Sequence, residues 1–202
     1  MIIYPVKSLY LGGKITMERS IKDTTANPAP LGLLGFGTTT LLLNLHNAGL
    51  FGLNDMILMM GLFYGGFAQI IAGIQENKKG NTFGATAFTS YGAFWWTLVG
   101  IWVLNKAEYL AANSVALGSY MFVWGLVTFI FFIGTLNGAT IGKIVFGTLT
   151  ILFILLGFHF VLESALFGKL AGFVGIICGS SAIYEAAGLI LNEKYGKQIL
   201  PL

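Results

Sequence analysis

Charged residues are scarce in this chain. Lys, Arg, Asp and Glu together make up 9% of its 202 residues, whereas hydrophobic residues make up 56% and the mean hydropathy is +0.81. A soluble domain has about 25% charged residues, because its surface must face water. The shortage excludes a water-soluble globular domain and indicates an integral membrane protein.

Cysteine and clustered basic residues are scarce as well. The single cysteine, Cys178, permits no internal disulfide and lies in an apolar, Gly-rich run, where we expect it to serve as packing. The eleven Lys and Arg residues are scattered and form no patch with interleaved aromatic residues. This pattern argues against a nucleic-acid partner.

The sequence also lacks the common motifs of enzymes and metal sites. It contains no G-x-S-x-G, no H-E-x-x-H and no G-x-x-x-x-G-K-[ST]. Its two histidines, His46 and His159, lie on different apolar runs, and two isolated histidines do not make a metal site. We therefore expect no enzyme, no catalytic residue, no metal and no cofactor.

Long apolar runs are abundant, and six of them follow a polar arm. Each has close to the roughly 20 residues that a helix needs to cross a bilayer, and each is too long for a barrel strand. The predicted fold is all-α, with helices near 29–49, 55–75, 83–104, 114–136, 141–162 and 169–191. The predicted domains are a soluble, partly disordered cytoplasmic arm (1–26), a six-helix transmembrane domain (27–192) and a cytoplasmic tail (193–202).

The Lys and Arg residues predict the orientation of this domain. Nine lie in the arm, the tail and the loops on the same side, and only Lys106 and Lys169 lie on the other side. Because cytoplasmic loops carry the excess of positive charge, both termini are expected in the cytoplasm of a cell-membrane protein.

A faint internal repeat runs through the predicted helices. Asn27, Asn81 and Asn137 precede the odd-numbered helices at spacings of 54 and 56 residues, and Gly and Thr follow each of them. A fixed period predicts three helical hairpins around a common axis. The alternative is that Asn is simply a common cap and Gly is plentiful. Asp55 and Ser114 are predicted to cap the second and fourth helices, as Asn27 caps the first.

Neutral polar residues at membrane depth are candidates for a solute pathway. An apolar spanning helix does not need them, whereas a pore requires weak and repeated polar sites. The candidates are Asn27, Thr39, Asn44, Gln69, Asn81 and Thr86. The alternative is that each Thr bonds its own backbone or joins neighbouring helices.

Counting residues from the helix starts places two aromatic residues at mid-membrane. Phe36 lies nine residues after Asn27 and Tyr91 ten after Asn81. At 1.5 Å per residue, both lie roughly 14–15 Å deep in a ~30 Å hydrocarbon core. The fifth helix offers Phe146 and Leu149 at that depth, and the set would form an apolar ring that narrows a pore.

Few acidic residues and histidines are available for proton coupling. Glu185, Glu163 and His159 are the candidates, and Glu163 follows His159 by four residues, which predicts one helical face. For that pair, a position at the outer membrane boundary is the favoured interpretation, and a proton relay is the alternative. Glu76, near the end of the second helix, is interpreted as interfacial.

Two blocks of sequence resemble a known family. They are NPAPLGLLGFGTTTLLLN and FYGGFAQIIAGIQENKKGNTFGATAFTSYGAFWW, and the ending CGSSAIYEAAGLILNEKYG is similar too. Together they resemble the acetate uptake transporter family, which includes the bacterial succinate–acetate permeases. The resemblance implies a six-helix protomer like that of bacterial urea channels, assembled as a hexamer with a pore in each protomer. It also implies uptake of acetate and other short monocarboxylates, with succinate for some members.

The resemblance further implies a hydrophobic constriction formed by a Phe, a Tyr and a Leu. Phe36 and Tyr91 match the first two, and Leu149 is the choice for the third, with Leu152 and Leu155 as rivals. A passive channel is the leading mechanism and an acetate–proton symporter the runner-up. A pore for ammonia or urea, and a membrane sensor that binds monocarboxylates without passing them, are the remaining alternatives.

Overall fold

The computed structural model describes residues 7–11, 14–18, 25–107 and 112–202. Within these residues the chain forms six long helices, as the six apolar runs predict. They are α1 (Ala29–Asn47), α2 (Asp55–Lys78), α3 (Thr82–Lys106), α4 (Ser114–Thr135), α5 (Thr140–Val161) and α6 (Ala165–Tyr195).

Five of these helices, α2 to α6, are long and apolar enough to span a membrane by length and composition. Helix α1 is less apolar, because Thr38, Thr39, Thr40 and Asn44 interrupt its Leu residues. It is instead packed inside the bundle, where α6, α2 and α3 surround it. The chain is a multi-pass membrane protein whose most polar helix is shielded by the others.

The N-terminal arm contains two short strands. Strands β1 (Lys7–Leu11) and β2 (Lys14–Glu18) pair antiparallel, with Lys7 opposite Glu18 and Leu11 opposite Lys14. This hairpin was not predicted from the sequence, although its segments contain Tyr10, Ile15 and Thr16, which are residue types that strands favour. Helices account for the secondary structure of the described residues that follow the arm.

Asparagine side chains begin three of the helices. Asn54, Asn81 and Asn113 accept hydrogen bonds from backbone N–H groups in the first turns of α2, α3 and α4. The predicted caps Asp55 and Ser114 are each one residue too late, because the preceding Asn reaches the free N–H first.

The other two Asn residues of the repeat do not occupy cap positions. Asn27 Oδ1 accepts from the Ala29 N–H at 3.1 Å, but Pro28 holds the cap position of α1. Asn137 lies two residues before Ala139, the residue that precedes α5. The repeat is nonetheless visible at the opposite helix ends, where His46 and His159 each lie 2.9 Å from a carbonyl oxygen five residues ahead.

The middle of α2 is a π-helix, Met60–Ala68. Its glycines let the indole rings of α3 approach closely, since a Cβ on Gly65 would lie 2.9 Å from the ring of Trp95. The indole N–H of Trp96 donates to the Leu62 carbonyl at 2.9 Å. Wide π turns inside α-helices are frequent at functional sites.

The C-terminal residues fold back along α6. The helix ends at Gly196, whose φ of +63° is easily adopted only by glycine. Asn192 Nδ2 then donates to the Leu200 carbonyl at 2.8 Å, and the Tyr184 hydroxyl donates to the Pro201 carbonyl at 2.9 Å. The predicted tail therefore begins as helix and returns along the bundle.

Candidate functional site: two cavities along the bundle

Two internal cavities lie one after the other along the bundle. The first cavity has a volume of about 210 Å³ and lies among the N-terminal halves of α1, α3 and α5. The second cavity, of about 60 Å³, lies among the C-terminal halves of the same helices. A water molecule needs roughly 10–15 Å³ of such space, so both cavities can hold small molecules.

Three residues of the described chain line both cavities: Phe36, Tyr91 and Leu149. Each comes from a different odd-numbered helix, and their exposed fractions are 6%, 3% and 3%. The rings of Phe36 and Tyr91 are 5.7 Å apart between centroids and tilted by 47°. The three side chains form an apolar layer between the two cavities, which we call the waist. Leu152 lines only the second cavity, and Leu155 lines neither.

Local sequence holds Phe36 in this position. Gly35 and Gly37 flank it, and a Cβ on either would lie within 2.8 Å of a carbonyl oxygen, Tyr64 O in one case and Gly179 O in the other. Real Cβ atoms do not come that close, so the Gly-Phe-Gly sequence is needed for α1 to pack against α2 and α6. The bulk of Phe36 is left to face the axis.

Tyr91 is held by its hydroxyl and by aromatic neighbours. The hydroxyl donates to Thr128 Oγ1 on α4 at 3.0 Å. Its proton is therefore engaged with α4 rather than available to a solute on the axis. The rings of Trp124, Phe131 and Phe146 lie 5.8–6.2 Å from the Tyr91 ring. The contact of the phenol ring with the cavities is therefore mainly apolar.

The first cavity has a polar lining rich in oxygen atoms. Gln69 is fully buried, and its Nε2 donates to the Gly65 carbonyl at 2.6 Å. Glu76, only 3% exposed, accepts from Asn81 Nδ2 at 2.8 Å. Asn81 Oδ1 in turn accepts from the Gly84 N–H at 3.0 Å, and the half-buried Glu185 completes the polar lining.

The polar groups that line the second cavity are amides, a hydroxyl and two indoles. Asn44 Nδ2 donates to the Thr40 carbonyl at 2.8 Å, and Asn47 Nδ2 donates to Asn44 Oδ1 at 3.0 Å. Trp95 is almost fully buried, and its Nε1 has no hydrogen-bond partner among the described residues. Aromatic and Leu side chains form most of the remaining wall.

Several predicted pathway residues lie away from the cavities. Thr39 is fully buried and donates to the Gly35 carbonyl at 2.7 Å, and Thr86 donates to the Thr82 carbonyl at 2.8 Å on an outer face. Asn27 is exposed beside the start of α1. Both Thr hydroxyls bond the backbone of their own helix, which is the alternative to pore lining that the sequence left open.

Glu163 and His159 do not form the predicted helical pair. Helix α5 ends at Val161, and Glu163 follows it with a φ of +49°. Its carboxylate accepts from the Ser114 hydroxyl at 2.8 Å, whereas His159 is engaged with the Ser164 carbonyl. Neither residue lines either cavity, so the geometry matches the boundary position that the sequence favoured.

Several residues of the cavity walls could not be predicted from the sequence, Glu76 and Trp95 among them. Glu76 was expected at the interface, but the Asn81 amide holds it inside the first cavity, and the five-residue spacing across the α2–α3 turn was the available signal. Trp95 carried no distinguishing signal, since it is one of two adjacent tryptophans. Among the described residues, no group of three or more His, Cys, Asp and Glu residues could hold a metal ion.

Comparisons with known proteins agree with this architecture. The chain is 55% identical over 178 residues to the succinate-acetate/proton symporter SatP of Escherichia coli K12, a match that covers 88% of this chain and 95% of that protein. It is 30% identical to acetate permease A of Emericella nidulans, over 88% of this chain and 65% of that one. A solved structure of the bacterial acetate channel SatP superposes with a TM-score of 0.87 at 54% identity, covering 89% of this chain and 99% of that one.

The chain also matches a protein-family model over the whole membrane domain. Residues 12–200 match the GPR1/FUN34/yaaH family, and this range includes the six helices, both cavities and the waist. With more than half of the chain matched and a relative at 55% identity, the assignment is secure. The chain belongs to the GPR1/FUN34/yaaH family.

Proposed function

We propose that this chain forms a pore that carries acetate and related short monocarboxylates across the membrane. The observation that carries the proposal is the waist: the two cavities share Phe36, Tyr91 and Leu149 and no other described residue. A narrow apolar layer between two partly polar chambers is the arrangement expected of a hydrophobic constriction. The names of the related symporter, permease and channel support acetate as the solute.

The chemistry of the waist favours small monocarboxylates. An ionised carboxylate is very costly in an apolar medium, by tens of kcal/mol in an idealised estimate, so polar groups must replace its water on either side. The methyl group of acetate suits the apolar ring. Succinate has a second carboxylate to desolvate, so we expect it to pass more slowly.

We propose that the protein lies in the cell membrane with both termini in the cytoplasm. The nine basic residues on the terminal side, against two on the other, support this orientation. The first cavity would then face the cytoplasm and the second cavity the outside. Cysteine residues introduced into the tail and into the loop at Lys106 should react with a membrane-impermeant thiol reagent from opposite sides.

We propose a homo-hexameric assembly in which each protomer has its own pore. An outer groove between α2 and α3 supports contact with a neighbour, because Asn77, Lys78, Thr86, Thr89 and Ser90 line it on membrane-spanning helices. Polar groups of this kind are unfavourable against lipid tails and commonly join helices. Native mass spectrometry of the detergent-extracted protein measures the number of copies, and a monomer would contradict this part.

We propose that the protein transports its solute unchanged, without catalysis or a cofactor. Proton-coupled transport is the second candidate, favoured by Glu76 and Glu185 in the first cavity and by the name of the related symporter. An intramembrane carboxyl group is costly and is commonly retained for a functional reason. Glu163 and His159, which lie outside both cavities, give this candidate no support.

Labelled acetate uptake into proteoliposomes tests the proposed function. Protein-dependent uptake above that of empty liposomes is the expected result, and its absence with a correctly folded protein would contradict transport. The same vesicles separate the two mechanisms. Accumulation of acetate above equilibrium, driven only by an imposed pH gradient, would reject a pathway for the free anion.

A further inference from the structure

Thr40 differs from the other buried threonines of the described chain. The others donate to a carbonyl oxygen three or four residues earlier in their own helix: Thr39, Thr128, Thr135 and Thr150. The hydroxyl of Thr40, a residue only 3% exposed, has no hydrogen-bond partner among the described residues. Buried polar groups are normally hydrogen-bonded, so a buried hydroxyl without a partner requires an explanation.

The Thr40 hydroxyl faces the second cavity. Its oxygen is not fully enclosed by protein atoms, and Thr40 lines this cavity beside Asn44 and Asn47. Thr40 follows the waist residue Phe36 by four residues, which is about 6 Å along a helix that rises 1.5 Å per residue. It is therefore the first polar side chain that α1 presents on this side of the waist.

The neighbouring amides leave this position to Thr40. Asn44 Nδ2 donates to the Thr40 carbonyl, and Asn44 Oδ1 accepts from Asn47 Nδ2, so both heteroatoms of the Asn44 side chain are engaged. Gly175 on α6 makes room for this amide, since a Cβ at that position would collide with it. The Thr40 hydroxyl therefore remains as the unpartnered donor next to the waist.

The size and the walls of the second cavity limit the solute that this donor can meet. The volume of about 60 Å³ suits a solute with only a few non-hydrogen atoms, because one water molecule needs roughly 10–15 Å³ of such space. The described lining residues include no Lys, Arg, His, Asp or Glu, and Leu98, Leu152 and Leu156 belong to its apolar wall. A hydroxyl binds a carboxylate through a charge-assisted hydrogen bond. The apolar wall suits a methyl or ethyl group.

We infer that the second cavity contains a binding site for a two- or three-carbon monocarboxylate, in which the Thr40 hydroxyl donates to the carboxylate. This inference rests on the proposed function and locates one place where its solute binds. A second carboxylate on the same solute would lie against Leu side chains, so the site disfavours dicarboxylates. A single neutral donor also binds weakly enough for the solute to leave, as permeation requires.

Two adjacent threonines give a matched pair of variants. Thr40→Val keeps the shape of the side chain and removes the unpartnered hydroxyl, whereas Thr39→Val makes the same change at a hydroxyl that bonds the Gly35 carbonyl outside both cavities. Acetate uptake by proteoliposomes over a series of concentrations gives the half-saturation constant. Thr40→Val should raise it about tenfold or more, the effect of one lost hydrogen bond to a charged group, and Thr39→Val should leave it unchanged. Wild-type half-saturation constants in both variants would overturn the inference.

Thermal unfolding of the same variants in detergent should give the opposite order. Thr39→Val loses a hydrogen bond and should unfold at a lower temperature, whereas Thr40→Val has none to lose and should not. Acetate should raise the unfolding temperature of the wild type more than that of Thr40→Val, with sodium chloride at the same concentration as the control, because a ligand stabilises the state that binds it. Equal stabilisation of wild type and Thr40→Val by acetate would overturn the inference.

Two further variants separate the hydroxyl from the shape of the side chain. Thr40→Ser retains the hydroxyl and should keep the half-saturation constant close to that of the wild type. Thr40→Ala removes the hydroxyl with a smaller side chain, so a hydroxyl-free variant is available even if Thr40→Val does not fold. Equal impairment of Thr40→Ser and Thr40→Ala would overturn the inference. Absence of protein-dependent acetate uptake by the wild type would instead be a failure of the proposed function itself.

Discussion

The two cavities differ in chemistry although the same three helices line both. The first cavity carries the carboxyl groups of Glu76 and Glu185 and the unpartnered oxygen of Gln69. The second cavity contains no carboxyl group among its described lining residues and carries instead the unpartnered indole N–H of Trp95, beside the amides of Asn44 and Asn47. Among the described lining residues, carboxyl groups therefore occur only in the first chamber, whereas the polar groups of the second chamber are amides, a hydroxyl and indoles.

This difference means that a solute moving along the bundle meets two sets of polar groups, one on each side of the waist. The waist separates these environments over a short apolar distance, since its residues contact both cavities. On the proposed function, a monocarboxylate exchanges one set of hydrogen-bonding partners for the other as it crosses the waist.

The largest expected effect comes from joining the two cavities. Phe36→Ala removes the ring that α1 contributes to the waist, so bulkier acids such as butyrate should pass more than tenfold faster relative to acetate. Truncating a buried Phe also lowers the free energy of unfolding by about 3–5 kcal/mol. Competition uptake assays in proteoliposomes measure the ratio, with Phe63→Ala, at an exposed position of α2, as the matched control. An unchanged butyrate-to-acetate uptake ratio would show that Phe36 does not determine selectivity.

A smaller effect is expected from removing a carboxyl group from the first cavity. Glu185→Gln keeps the shape of the side chain and removes an ionisable group from the lining. The dependence of acetate uptake on pH should become several-fold shallower. Glu163→Gln is the control, because Glu163 bonds Ser114 outside both cavities. If both variants kept the wild-type pH profile, Glu185 would have no part in the difference between the cavities.

A still smaller effect is expected from removing the free donor of the second cavity. Trp95→Phe keeps an aromatic ring against the Gly65 backbone and deletes the indole N–H. The apparent affinity for acetate should fall about two- to tenfold, which corresponds to one modest hydrogen bond. Saturation uptake curves measure it, and Trp96→Phe, whose N–H bonds the Leu62 carbonyl, is the neighbouring comparison. Identical curves for wild type and Trp95→Phe would leave the indole N–H without a role.

The smallest functional effect is expected at Thr39. Its hydroxyl bonds the Gly35 carbonyl and lies outside both cavities, so Thr39→Val should destabilise the fold by about 1 kcal/mol without altering solute preference. Thermal unfolding in detergent and the butyrate-to-acetate uptake ratio measure the two quantities. A changed uptake ratio with unchanged stability would show that Thr39 belongs to the solute pathway.

Much of the architecture is predictable from the sequence, because hydrophobic length alone requires six helices. Phe36 and Tyr91 were located by counting residues from the helix starts, which works because the rise of an α-helix is constant. Leu149 could not be separated from Leu152 and Leu155 by the same count. Helix α5 is rich in Leu and Ile all around, and only tertiary packing determines which face meets the axis.

The polar residues were harder to predict, and the reason is local. Consecutive Thr residues point to different sides of a helix, so the Thr38–Thr40 run could not all line a pore: Thr40 lines the second cavity, while Thr38 and Thr39 bond their own backbone. Glu76 lies near the end of α2, where a carboxylate is normally solvated. Its burial depends on a hydrogen bond from Asn81 across a turn, which helix periodicity does not reveal.

A substitution that blocks the waist tests whether acetate passes between the two cavities. Leu149→Trp places a larger side chain between the two cavities, whereas Leu155→Trp makes the same change at a position that lines neither. Protein-dependent acetate uptake is measured at equal incorporation and comparable thermal stability. Leu149→Trp should abolish uptake, and Leu155→Trp should retain it. Wild-type uptake through Leu149→Trp would show that acetate does not pass between Phe36, Tyr91 and Leu149.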